Sequence, residues 1–141
     1  MTTPTFFNCF TENMAEKVHN LGSDTLKWML TNTAPVLANT VKSDITEITA
    51  QYGYTAGGTQ ATLVSSAQVD GLYTLKLADV VFTATGGAIG PFRYVVLYND
   101  TGTNDPLIMW LDYGSSISIP DGETFTVDAD ATNGVLTLAA A

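Results

Sequence analysis

The chain has 141 residues, 45% of them hydrophobic and only 13% charged, and carries a formal net charge of −9 from five Lys plus Arg against fourteen Asp plus Glu. That length fits a single domain, 1–141, with a core large enough to stand without disulfides or metal. Its five cations, Lys17, Lys27, Lys42, Lys76 and Arg93, are scattered over the whole length, which argues against nucleic acid and against an anionic membrane surface as partners.

The opening stretch, Met1 to Phe7, lacks the basic start and long apolar run of a secretory signal, so synthesis in the cytoplasm is expected. Phe6, Phe10, Met14, Val18 and Leu21 then recur every three or four residues. This spacing predicts one amphipathic helix over about 6–20, ended by Gly22 in a left-handed cap, within an N-terminal segment 1–22. From residue 23 the pattern changes to alternation. Leu26, Trp28 and Leu30 face one way and Lys27 and Thr31 the other, as in a strand. Thr33-Ala34-Pro35 breaks it, Ser43 is placed to cap a short helical turn through Ile48, and 51–58 is a loop rich in Gly and Tyr.

Beyond residue 60 strands follow closely. Val69-Asp70-Gly71-Leu72 puts an Asp-Gly turn between apolar flanks, a strong hairpin signal. Further strands are expected at 80–84, 92–98, 107–113, 115–119, 123–128 and 134–138, with Pro120-Asp121-Gly122 and Asn133-Gly134 as turns. The spacing is too short for βαβ units, so the expected fold is mainly β: an antiparallel β-sandwich or partly closed, jelly-roll-like barrel over 23–141, with one N-terminal helix. The stretches 94–98 and 107–111 carry large apolar groups on both faces. They are either central strands covered on the second face by the N-terminal helix, or an intermolecular surface.

Chemistry is sparse in this pattern. The single His19 lies in the helical segment, where a surface imidazole is the expected role, and the single Cys9 reads as a small, partly buried hydrophobe. One Cys and one His cannot build a Cys/His zinc site, and no nucleophile has an evident base. Asp128-Ala129-Asp130-Ala131-Thr132-Asn133-Gly134 opens like a calcium loop, but Gly stands at the seventh position and Ala139 at the twelfth, so a turn fits better. Gly86 to Pro91 lacks the Lys-Ser/Thr of a phosphate cradle. No enzyme activity, cofactor or metal is expected.

Several phrases together carry a resemblance: Leu30-Thr31-Asn32-Thr33-Ala34-Pro35, Asp44-Ile45-Thr46-Glu47-Ile48, Gly53-Tyr54-Thr55-Ala56-Gly57-Gly58, Gly90-Pro91-Phe92-Arg93-Tyr94, Leu97-Tyr98-Asn99-Asp100 and Pro106-Leu107-Ile108. The chain resembles a family of small virion proteins encoded by tailed bacteriophages, in particular capsid decoration (cement) proteins. The resemblance implies a homo-oligomer, dimer or trimer, on the capsid surface with the major capsid protein as partner. It implies no catalytic residue. By residue type, the candidate interface anchors are the aromatics Phe6, Phe7, Phe10, Trp110 and Tyr113. A receptor- or glycan-binding module of a head fibre or tail is the competing expectation.

Overall fold

A computed structural model describes residues 3–140. Among these residues the fold is mainly β, with antiparallel sheets, one short α-helix near the N-terminus and no closed barrel. In chain order the elements are β1 (Thr5–Phe6), α1 (Cys9–Ala15), β2 (Leu26–Thr31), a 3-10 turn (Lys42–Asp44), β3 (Thr59–Gln60), β4 (Leu63–Val69), β5 (Leu72–Leu77), β6 (Val80–Thr83), β7 (Ile89–Asn99), β8 (Leu107–Ile119), β9 (Thr124–Val127) and β10 (Leu136–Ala139).

A five-stranded sheet has the order β1-β8-β7-β2-β3. Facing it are a three-stranded sheet, β10-β5-β4, and a two-stranded sheet, β6-β9. The main core lies between them: Trp28, Leu30, Val95 and Leu97 from the large sheet meet Leu75, Leu77, Phe82 and Val127 from the small ones. Alternation dictates this, because in β2 and β7 every second residue points inward.

The other face of the large sheet is covered too. Met29, Val96, Tyr98 and Leu107 lie beneath Phe7 and Ile45, so the doubly apolar stretches are central strands. Their cover comes from the chain entering α1 and from the 3-10 turn, rather than from an N-terminal helix laid across the sheet. β8 reaches both layers through a bulge. Leu97 pairs with Met109 but Tyr98 with Leu107, so Ile108 is an extra residue and joins Met109 in the main core.

Three local expectations need correction. The helix is seven residues long, not fifteen: Phe6 belongs to β1, and Lys17 at φ 64° turns the chain away before Val18. Gly22 therefore caps nothing, and Leu21 reaches the core from coil. The stretches 107–113 and 115–119 form one 13-residue strand that bends at Gly114, where φ is 100°. The short turn begins after Val41, with Ser43 inside it rather than capping it.

Candidate functional site

The five aromatic anchors do not form one site. Phe7 is buried in the second-face layer with its ring 4.7 Å from that of half-buried Trp110. Phe10 is buried in the main core, 5.2 Å from the half-buried ring of Phe6. Phe7 and Phe10 thus present no surface to a partner, and as anchors they are corrected: pairing of β1 with β8 at Thr5–Trp110 and Phe6–Met109 draws both rings into the chain's own layers. Tyr113 stands apart on the bend of β8. It is 45% exposed and meets Phe125 edge-on at 5.7 Å.

The chemistry-bearing side chains converge elsewhere, under the loop 51–58. The Glu47 carboxylate accepts from the Tyr54 hydroxyl at 2.7 Å and from the Gly57 amide at 2.6 Å. Tyr54 in turn accepts from the Leu30 amide of β2 at 3.0 Å, and the Tyr98 hydroxyl donates to the Gly57 carbonyl at 2.6 Å. Burial pushes both phenols well above their ordinary range, so they remain donors. Gly58 closes this network because its φ is +78° and a Cβ there would stand 1.8 Å from the Trp28 carbonyl oxygen. The network serves to bolt the loop to β2 and β7. Nothing in the spacing of Glu47, Tyr54, Gly57 and Tyr98 signals it; only the Gly57-Gly58 pair hints at a close backbone approach.

Beside it opens a hollow of about 550 Å³ lined by Lys42, Ser43, Glu47, Asn104 and Asp105 over Met29 and Ile45. The Lys42 ammonium lies 5.5 Å from the centre of the Tyr98 ring. Lys42 is placed there by an antiparallel bridge between Val41 and Pro106 and by the hydrogen bond that its backbone N–H donates to the Asp105 carbonyl. The lining mixes one cation with two carboxylates, a hydroxyl and an amide, groups suited to bonding a polyhydroxylated or zwitterionic molecule.

His19 is the second correction among polar residues. It is 5% exposed rather than on the surface. The Asn99 amide donates to its Nδ1 at 3.0 Å and to the Asp24 carboxylate at 2.6 Å. The ring proton then sits on Nε2, which is buried without a partner. Burial lowers the His19 pKa, opposed by the charge of Asp24. Cys9 is half-buried as expected, its thiol pointing at the carbonyls of Asn39, Thr40 and Leu107 at 3.7–3.8 Å. Burial raises its pKa, the wrong direction for a thiolate nucleophile.

The acidic segment 128–134 folds as a turn. Asp128 accepts from the Asp130 amide, and Asp130 accepts from the Asn133 amide and side chain, which hold its carboxyl below the usual range. Among the described residues no group of three or more His, Cys, Asp or Glu side chains is arranged to hold a metal ion. No helix among them is long and apolar enough to cross a membrane.

Large apolar side chains stand exposed on the small sheets, and also at Val18, Val36, Leu37, Tyr52 and Tyr113. Leu63, Val64 and Val69 on β4, Leu72 on β5 and Val81 on β6 all point to solvent. Fold and surface together define an antiparallel β-sandwich whose large sheet carries a buried layer on each face and whose small sheets expose apolar side chains. In comparisons with protein-family models, curated proteins and solved structures, nothing matches this chain.

Proposed function

We propose that this chain is a tailed-bacteriophage virion structural protein of the capsid-decoration kind, which binds the outer surface of the major capsid protein lattice and stabilises the head. The observation that supports this reading beyond the sequence resemblance is uncovered apolar surface. With the core closed within one chain, Leu72, Val81 and Leu138 on the small sheets and Tyr113 on β8 remain exposed. A contact with a shell needs on the order of 1,200 Å² in total, and lattice repetition supplies avidity even where each contact is weak. The test is purification of intact particles: the protein is expected on them at lattice stoichiometry, and removing it is expected to lower the temperature at which heads rupture. Recovery only from lysate, never with particles, overturns the reading.

The hollow beside Lys42 favours a second reading, a glycan-binding module of a head fibre or tail, because Ser43, Glu47, Asn104 and Asp105 offer directed partners for sugar hydroxyls. Binding on a glycan array, lost on Asn104→Ala with Asp105→Ala, supports it. An array without signal for the intact protein counts against it.

A further inference from the structure

β4 is the longest edge strand among the described residues. It pairs only with β5, and among the described residues no backbone group of 63–69 is bonded outside that ladder. Proteins usually blunt such an edge with Lys or Pro. β4 reads Leu63-Val64-Ser65-Ser66-Ala67-Gln68-Val69 and has neither; its one irregularity is a bulge between Leu63 and Ser65, which leaves 65–69 regular, and Leu63, Val64 and Val69 are 43%, 53% and 71% exposed.

Charge points to what covers it. The chain carries −9, yet residues 48–69 contain no Asp, Glu, Lys or Arg. Two copies repel over most of their surfaces, but along this edge they can approach without setting carboxylate against carboxylate. The backbone is prepared as well. Asp70 at φ 50° and Gly71 at φ 83° form a two-residue turn that closes on the pair Val69–Leu72. The closing pair bonds to itself, so the alternate residues Ser66 and Gln68 aim their N–H and C=O groups away from β5.

We propose that two copies of this chain join antiparallel along β4, about a two-fold axis at Ser66, so that two three-stranded sheets become one continuous sheet. The strand is self-complementary in that register. Ser66 faces Ser66 of the second copy and Ala67 faces Ser65, within the regular stretch that follows the bulge between Leu63 and Ser65. Small side chains at the axis let the backbones close, and the contact is isologous, so it stops at a dimer. Such an edge buries on the order of 1,000 Å² in total, slightly below a standard interface, which suits a weak, concentration-dependent dimer. The inference does not rest on the capsid reading, because a symmetric edge pairs in the free protein.

Light scattering on the full chain between about 5 and about 200 µM is expected to show a monomer becoming a dimer. Over the same range the Ser66 and Gln68 amides are expected to slow in hydrogen exchange by about tenfold or more. Ser66→Pro removes one outward N–H at a position an edge strand tolerates, and is expected to be monomeric throughout. Since it also loses the Ser66–Tyr73 hydroxyl bond, the exposed Ala67→Lys repeats the test without that loss. A wild-type chain that stays monomeric, forms a trimer, or dimerises with fast exchange at Ser66 and Gln68 overturns the proposal. Protection of these amides only on capsid particles also overturns it, and assigns the edge to the shell.

Discussion

Gly58 shows how one backbone position holds the polar network together. Any side chain there must both adopt a left-handed φ and displace the Trp28 carbonyl of a central strand. Gly58→Ala is therefore expected to cost about 3 kcal/mol or more, read as a large drop in the urea midpoint. Tyr98→Phe removes only the hydroxyl bond to the Gly57 carbonyl. It leaves one buried acceptor unpaired, and an expected loss of about 1–2 kcal/mol separates a missing bond from a steric conflict in the same unfolding assay. His19 sets a different dependence. Its folded pKa is lowered by burial, so the unfolded chain takes up the proton first, and stability falls as pH drops below about 6.5 towards the folded value. Denaturant midpoints measured from pH 8 to 5 are expected to decline in the wild type and to flatten over that window in His19→Phe. The exposed carboxylates Asp44 and Asp130 and the half-buried Asp112 are also held below their usual range, the first two by hydrogen bonds from backbone N–H groups and Asp112 by Arg93. Their contribution is present above the ordinary carboxylate range and is lost only at lower pH, so it leaves the imidazole window clear.

At the scale of elements, β1 and the residue after it carry more than their length suggests. Two ladder residues dock the N-terminus on β8, and Phe7 then covers the second face against Trp110. Phe7→Ala is expected to cost about 3–5 kcal/mol, measured by urea unfolding, because it opens the layer over Val96 and Met29. The Phe7 ring was not legible as cover, since its neighbours in sequence share a helical spacing. Phe6, Phe10 and Leu21 do reach one core, but from a strand, a helix and coil in turn, and periodicity alone cannot tell these routes apart. The β4–β5 hairpin was fully legible because Asp70-Gly71 fixes both turn dihedrals locally. The sequence pattern divides β8 at Gly114, yet the ladder with β7 resumes beyond the bend, Ile117 opposite Phe92. The Glu47–Tyr54–Gly57–Tyr98 network was invisible for a related reason: its members are joined by tertiary approach of three segments, with no pattern in any one of them.

For the whole molecule, the balance between charge and apolar edge decides how copies associate. A net charge of −9 on 141 residues makes every encounter between copies repulsive at long range. The proposed edge contact contains no ion pair, so salt has only repulsion to screen. Raising NaCl from about 20 mM to about 500 mM shortens the screening length from roughly 20 Å to about 4 Å, and the dimer is expected to tighten several-fold. Sedimentation equilibrium at a fixed protein concentration reads this directly. An association that weakens with salt instead requires cation–carboxylate contacts between copies, and the candidates are few. Lys27 already bonds Asp100 at 3.0 Å and Arg93 already bonds Asp112 at 2.8 Å, which leaves Lys17, Lys42 and Lys76 to supply them. None of these is on β4, so the sign of the salt dependence separates pairing along that edge from a contact made through the cationic side chains.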